Sequence, residues 1–183
     1  MSRNCWKILA ALVLTGLPMG QLHAADGLYL GAGIGAAMFK DNLESGVTFD
    51  EEDAAYKAFV GWRFDAVPVI DLAVEAAYTD FGEPSQGVNA QQFEINLRGP
   101  SIAGLLILPL GPLDLYAKAG VIDWKLDRTS AGTTRSSSGN DPFYGAGIGF
   151  YIWKLAFRAE YERFEIQDFD RVEMVSVHAL FQF

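Results

Sequence analysis

The last ten residues of the chain, 174–183, alternate strictly between two kinds of side chain. Because successive side chains of a β-strand point to opposite faces, this period of two predicts a strand rather than a helix. The apolar face carries Val175, Val177, Ala179, Phe181 and Phe183, and the mixed face carries Met174, Ser176, His178, Leu180 and Gln182. A strand of this kind requires a fold in which one face of the sheet lies in apolar surroundings.

The beginning of the chain has the features of a secretory signal peptide. Arg3 and Lys7 give it a positively charged start, and an uncharged apolar run follows at 8–17. That run is long enough for a signal peptide and too short for a membrane-spanning helix. We expect cleavage after Ala24, with cleavage after Ala25 as the alternative.

Cleavage would leave a single domain, 25–183, after a signal peptide at 1–24. Cys5 lies in the signal peptide, so the mature domain would have no cysteine and would have to be stable without disulfides. The whole chain has 14 basic and 23 acidic residues, a net charge of −9. The signal peptide would remove two basic residues and no acidic ones, which makes the mature domain still more acidic. We therefore do not expect the mature domain to bind nucleic acid, because such binding needs a basic surface.

No later apolar stretch is long enough for a membrane-spanning helix. The longest candidate, 105–110, is short and contains Pro109. If the chain crosses a membrane, it must do so as a closed β-barrel, because the bilayer core offers no partner for an unpaired strand edge.

Eight segments have about the length of a tilted membrane strand, roughly ten residues. They lie near 27–39, 54–64, 71–81, 92–107, 113–125, 142–152, 155–164 and 173–183. The connections alternate between short ones and long polar ones, the long ones being 40–53, 82–91, 126–141 and 165–172. This pattern predicts an all-β fold, an eight-stranded antiparallel up-and-down transmembrane β-barrel in a bacterial outer membrane, with both termini in the periplasm.

The alternation also predicts which residues face the lipid. Outward aromatic residues should collect at the two membrane surfaces, with aliphatic residues between them. Those expected near the extracellular surface are Tyr56, Tyr78, Phe93, Tyr144 and Tyr161, and those expected near the periplasmic surface are Trp62, Phe64, Trp153, Phe181 and Phe183.

The opposite faces predict a charged barrel interior. They carry Lys57, Arg63, Glu75, Glu94, Arg98, Lys118, Arg158, Glu160 and Glu162, together with glycines on the first and sixth segments. An eight-stranded barrel is only wide enough to be filled by its own side chains. We expect these charges to pair, because an unpaired buried charge is very costly.

Several stretches resemble the transmembrane domain of the OmpA-like outer-membrane proteins, and the similarity covers nearly the whole mature chain. They are 27–35, 74–82, 113–121, 157–161 and the final strand. The resemblance implies an interior network of Glu, Arg and Lys that blocks or gates the barrel, with Glu75 and Arg158 as one pair. It also implies that Arg98 and Lys118 are basic members of the network. The sixth segment lacks the family's acidic partner, for which Glu160 would substitute.

The resemblance gives the final strand, with Val175, Val177, Ala179, Phe181 and Phe183, a further role as the signal read by the barrel-assembly machinery. The expected partners are therefore this machinery, outer-membrane lipids and lipopolysaccharide, and the expected oligomeric state is a monomer. The chain ends at the barrel, so a peptidoglycan-binding domain is not expected. Neither a cofactor nor a metal site is expected.

Three functions remain open at this stage. The first is a structural or surface role, with adhesion or ligand contact through the extracellular loops and no enzymatic activity. The second is a narrow channel for ions or small solutes. The third is a lipid A-modifying enzyme that would use Ser176 and His178, with Glu160 or Glu162 orienting the histidine.

Overall fold

The computed structural model describes residues 27–42, 48–82, 85–88, 91–130, 133–166 and 171–183. These residues form nine β-strands. Their bounds are β1 Gly27–Asn42, β2 Thr48–Val67, β3 Ile70–Asp80, β4 Ser85–Val88, β5 Gln91–Leu110, β6 Leu113–Ser130, β7 Thr133–Ile152, β8 Leu155–Phe164 and β9 Arg171–Gln182. Within the described residues, no helix is long and apolar enough to cross a bilayer.

Eight of these strands close into a ring. Each pairs antiparallel with its neighbours in the order β3-β2-β1-β9-β8-β7-β6-β5, and pairing of β3 with β5 completes the circle. The four-residue strand β4 pairs with the start of β5, and among the described strands this is its single partner. The predicted eight-stranded antiparallel up-and-down barrel is confirmed.

The strands are longer than the sequence pattern predicted at one end of the barrel. The stretch 126–141, expected to be a loop, instead continues the β6–β7 hairpin as far as the pair Ser130 and Thr133. Likewise, β1 and β2 remain paired as far as Asn42 and Thr48. The sequence pattern did not predict these strand extensions because the stretches contain polar residues. A membrane strand is recognised in a sequence by an apolar outer face. We call this end of the barrel the loop end.

The opposite end, which we call the turn end, has tight connections. Gly111, between β5 and β6, has a φ of +73°, a conformation that glycine adopts readily. Trp153, between β7 and β8, has a φ of +60°, which is unusual for a bulky residue. Its side chain is 85% exposed.

The two faces of the barrel wall exchange their polarity along its axis. From the turn end through most of the barrel, the outer face is apolar and the inner face carries the charges. Towards the loop end the outer face becomes polar, with Asp123 and Lys125 exposed on β6. On the same strand Ile122, Trp124 and Leu126 are buried inside. A strand surrounded by water buries its apolar face, so the loop end has the pattern of a barrel in water, whereas the rest of the barrel presents an apolar outer surface.

Candidate functional site: the barrel interior

The central charges of the interior come from three strands, β3, β6 and β8, none of which is adjacent to another of the three in the barrel. Glu75 on β3 accepts a hydrogen bond from Lys118 Nζ on β6 at 2.8 Å and another from Arg158 Nη1 on β8 at 3.1 Å. The Tyr29 hydroxyl on β1 donates to the same carboxylate at 3.1 Å. All four residues are buried. The sequence-based pairing of Glu75 with Arg158 therefore has matching geometry in the structure.

A second group of charges lies beside the first. Lys57 Nζ is 2.6 Å from Glu162 Oε1 and 3.1 Å from Glu160 Oε2. Lys118 links the two groups, with its Nζ 3.3 Å from Glu160 Oε2 and 3.4 Å from Glu162 Oε1. The Tyr116 hydroxyl donates to Glu160 at 2.7 Å. Three carboxylates and three cations thus form one continuous buried network, in which each buried charge has a compensating partner.

Arg63 forms a separate cluster nearer the turn end. Its guanidinium reaches Asp71 Oδ2 and Asp114 Oδ2, both at 2.6 Å, and its Nη1 lies 3.2 Å from the Tyr151 hydroxyl. The sequence analysis did not name Asp71 or Asp114. A signal was present, because Asp71 has the same strand parity as Glu75, and Asp114 the same parity as Lys118.

Aromatic rings surround the guanidinium of Arg158. Its Cζ lies 4.9 Å from the ring centre of Tyr29, 5.1 Å from that of Tyr116 and 5.7 Å from that of Phe59. These contacts allow cation–π attraction to add to the ion pair with Glu75. Arg158 is therefore held on several sides, and moving it would break contacts with four strands.

Glycines supply the space that these large side chains occupy. A Cβ at Gly33 would collide with the His178 ring, and one at Gly147 would collide with the Tyr116 ring. The glycines expected on the first and sixth barrel segments therefore leave room for large side chains from neighbouring strands, here mainly aromatic ones.

An apolar layer closes the interior above the charges, at the loop end. Its members are Phe39, Phe81, Leu97, Ile122, Trp124, Leu126, Phe143, Phe164, Ile166, Val172 and Met174, all buried. Phe164 packs against Phe81 with ring centres 4.9 Å apart and against Phe143 at 5.1 Å. The Trp124 indole donates to Asp141 at 2.7 Å, which satisfies its polar group. The sequence analysis predicted only a charged filling and missed this layer.

The prediction that Arg98 belongs to the interior is wrong. Its side chain is exposed on the outer face, and its neighbours Leu97 and Gly99 are buried. The predicted face of β5 was therefore shifted by one residue, which exchanges the two faces of a strand. The apolar run that follows in β5 did not fix the register, because its residues are hydrophobic on both faces. Glu94 lies outside the residues whose side chains the structure describes.

The other predicted charges and aromatic residues have clear positions. Lys57, Arg63, Glu75, Lys118, Arg158, Glu160 and Glu162 are buried inside. The outer face carries Tyr56, Tyr78, Tyr144 and Tyr161 towards the loop end and Trp62, Phe64, Trp153, Phe181 and Phe183 towards the turn end. The side chain of Phe93 falls outside the described residues. On β9, Val175, Val177, Ala179 and Phe181 are exposed, and so is Phe183 directly after the strand.

Ser176 and His178 are both enclosed. They are 2% and 3% exposed, and the His178 ring packs against Phe59 with centres 5.3 Å apart. The Nδ1 atom of His178 lies 3.7 Å from Glu160 Oε2, beyond hydrogen-bond distance. Neither ring nitrogen has a hydrogen-bond partner within the described part of the chain. Nor do the described residues contain a group of three or more His, Cys, Asp and Glu side chains that could hold a metal ion.

A family model described as the OmpA-like transmembrane domain matches residues 23–173. Among curated proteins, none matches the sequence significantly. Several solved structures have the same fold at low sequence identity.

The crystal structure of Ail, the attachment invasion locus protein of Yersinia pestis, is 18% identical with a TM-score of 0.58, covering 87% of this chain and 100% of that chain. Neisserial surface protein A is 14% identical with a TM-score of 0.65, covering 88% and 100%. The N-terminal β-barrel domain of Pseudomonas aeruginosa OprF is 14% identical with a TM-score of 0.56, covering 87% and 100%. Ail has also been crystallised with the heparin analogue sucrose octasulfate.

Proposed function

Since the chain belongs to the family of OmpA-like transmembrane domains and is thus an outer-membrane β-barrel protein of the Gram-negative envelope, we propose that it serves there as a closed structural and surface protein. The observation that carries this proposal is the double closure of the lumen. The charged network fills the barrel near its middle, and the apolar layer fills it again towards the loop end. Either layer alone would obstruct a solute, and the two rest on different physical interactions.

The proposed orientation places the loop end outside the cell and both termini in the periplasm. It is supported by the asymmetry of the two ends: the connections at the turn end are tight, whereas the β6–β7 hairpin at the loop end extends as far as Ser130 and Thr133, well beyond the apolar outer surface, as the extracellular hairpins of bacterial outer-membrane barrels do. In this orientation the signal peptide, 1–24, is removed on export. The barrel-assembly machinery then inserts 25–183 as a monomer, reading the exposed apolar face of β9.

Contact with other molecules would occur through the connections at the loop end. The chain as a whole is acidic, with a net charge of −9, and the stretch 40–53, which spans the loop-end parts of β1 and β2, contains Asp41, Glu44, Asp50, Glu51, Glu52 and Asp53. An acidic stretch of this kind repels sulfated polymers and favours cationic partners. We therefore propose that any adhesive role of these connections differs in charge preference from binding of a heparin-like molecule.

A narrow channel is the second candidate function. It would require the central ion pairs to separate and the apolar layer to part as well. The several short contacts of Glu75 and Arg158 argue against easy separation. A charged solute would in addition have to cross the apolar layer without hydrogen bonds, at a cost of several kcal/mol per ion.

A lipid A enzyme is the third candidate, and the position of its proposed groups does not favour it. Ser176 and His178 face the inside of a filled barrel, whereas a lipid approaches the outer wall. Incubation of the folded protein with lipid A, followed by mass analysis of the lipid, tests this candidate directly. Product formed by the wild type and lost in His178→Ala would overturn the proposed non-enzymatic role.

Planar-bilayer recording tests the closed barrel. The mature chain is folded into detergent, folding is verified by the mobility shift between unheated and boiled samples, and currents are recorded across a range of salt concentrations. We expect no steady conductance from folded protein. Reproducible conductance that rises with salt would contradict the closed barrel and make the channel the leading function.

A further inference from the structure

Arg98 and Lys125 form a basic couple on the outer wall of the barrel. They are direct cross-strand partners on β5 and β6, and both side chains are exposed. Neither has an ion pair or hydrogen bond within the part of the chain that the structure describes. Like charges placed directly opposite each other on a sheet repel, and an anion lying between Arg98 and Lys125 would relieve this repulsion.

The couple lies where the headgroups of a bilayer are expected. Arg98 also pairs with Asp80 on β3, and the next outward pair towards the turn end is Tyr78 and Pro100. Tyr78 is exposed on the outer wall, and outward tyrosines mark the boundary between hydrocarbon and headgroups. One step further on, Ile102 and Val121 are paired and exposed, so the apolar surface begins directly below.

An apolar groove runs down the same three strands. It is lined on the outer wall by Phe64, Leu72, Val74, Gly104, Leu106, Ala117 and Ala119. At its centre, Gly104 pairs with Val74 on one side and Ala119 on the other. A Cβ at Gly104 would meet no atom within 4 Å, so the groove is open to the lipid.

The separation between couple and groove fits one lipid molecule. Gly104 lies six residues from Arg98 along β5, which corresponds to roughly 15 Å of depth for a strand tilted by about 40°. Half of the hydrocarbon layer of a bilayer is also about 15 Å thick. A headgroup held at Arg98 therefore places its acyl chain over the groove.

We propose that this wall of the barrel is a binding site for a phosphorylated glycolipid of the outer leaflet. A phosphate group lies between Arg98 and Lys125, and an acyl chain of the same lipid lies in the groove centred on Gly104. Asp80 and Asp123, both close to the couple, reduce its attraction for a free anion. The acyl contact is therefore what distinguishes a lipid from inorganic phosphate. The proposal rests on the orientation proposed above, in which the loop end lies in the outer leaflet.

The test is native mass spectrometry of the folded mature chain in mixed micelles of lipid A and phosphatidylcholine. We expect the wild type to retain lipid A in preference to phosphatidylcholine. Arg98→Gln combined with Lys125→Gln should weaken this preference by about fivefold for each residue changed. Gly104→Leu, which fills the groove without touching the charges, should also weaken it. A double variant that retains lipid A as the wild type does would overturn the proposal.

Two control variants make comparable changes on the opposite wall of the barrel. Arg163→Gln removes an outward arginine that is already paired with Glu165 at 3.0 Å, and Ala159→Leu fills a second apolar groove, which lies on β7, β8 and β9, away from Arg98 and Lys125. Both should leave lipid A retention unchanged, and equal losses in these controls would mean that no defined site exists.

Two further additions identify the source of the phosphate. Displacement of lipid A by excess inorganic phosphate would overturn the lipid assignment in favour of a simple anion site. Equal retention of phosphatidylglycerol would overturn the assignment to the outer leaflet. Neither result depends on whether the barrel conducts, so a failure here is distinguishable from failure of the closed barrel.

Discussion

Glu75 connects four strands of the barrel through a single carboxylate. Residing on β3, it contacts Tyr29 on β1, Lys118 on β6 and Arg158 on β8. Glu75→Ala would leave Lys118 and Arg158 with one compensating charge fewer in a buried site. We expect it to lower the free energy of unfolding by about 3–5 kcal/mol.

Urea unfolding of the barrel in detergent, followed by the heat-dependent gel shift, measures the effect of Glu75→Ala. Glu165→Ala provides the matched control, because Glu165 is an exposed carboxylate whose ion pair with Arg163 lies on the outer surface. An exposed pair of this kind contributes at most about 1 kcal/mol. Equal unfolding midpoints for the two variants would mean that Glu75 is not part of a tightly coupled network.

Trp153 is held in a backbone conformation that disfavours its own side chain. Its φ of +60° costs an L-residue about 1–2 kcal/mol, and glycine avoids this cost. Trp153→Gly and Trp153→Ala both remove the exposed indole, but only the alanine variant retains the strain. The glycine variant should therefore be more stable than the alanine variant by about 1 kcal/mol in urea unfolding. Equal stabilities would indicate that the turn relaxes.

At the scale of the element, β3 shows how well an alternating sequence predicts which face of a strand points outward. Its alternating sequence predicts that Leu72, Val74 and Ala76 face outward and Glu75 inward, and the burial pattern along β3 agrees. Val74→Arg would place a charge on the lipid-facing surface near its middle, where Val74 is 49% exposed. The expected loss of stability is about 2–4 kcal/mol.

Val74→Leu is the control for this substitution, because it preserves the apolar character of the site and should be nearly neutral. Unfolding in lipid vesicles measures both variants, since the penalty for Val74→Arg depends on a hydrocarbon environment. An arginine tolerated as well as leucine would place Val74 outside the membrane-embedded part of β3.

The strand β5 shows where the same reasoning fails. Its apolar run offers hydrophobic residues to both faces, as Leu105 and Ile107 lie inside while Leu106 and Leu108 lie outside. Without alternation in this run, the register was set by the assumption that Arg98 belongs inside, and the structure corrects it. Long-range pairing with β3 and β6 decides the register instead, and the sequence of β5 alone does not contain that information.

The apolar layer was missed for a related reason. Its residues lie on the inner face beyond the charged network, so the rule of a polar interior excluded them. That rule holds only where lipid surrounds the barrel. The switch from exposed Val121 to exposed Asp123 and Lys125 on β6 is visible in the sequence and marks the change of surroundings. Reading both faces together would have predicted the layer.

On the scale of the whole molecule, the lumen is closed twice, by the charged network and by the apolar layer, and the two depend on different physical interactions. Glu160→Gln weakens the charged network, and Phe164→Ala opens a space in the apolar layer. We expect neither variant alone to conduct in planar bilayers, because the other closure remains. The double variant should show steady conductance if it folds, as judged by the gel shift. Conductance from either single variant would mean that the closures are not independent.

The exchange of polarity along the barrel wall also constrains how the molecule enters its membrane. In the proposed orientation, the rim that carries Arg98, Asp123 and Lys125 outside has to pass the whole hydrocarbon layer to reach the far surface. A charge exposed to lipid midway costs several kcal/mol. Moving this rim across the hydrocarbon layer is therefore the energetically most costly step of insertion. Once the rim has reached the far surface, its charges oppose movement back through the hydrocarbon layer. The same residues that slow insertion therefore also slow extraction of the inserted barrel.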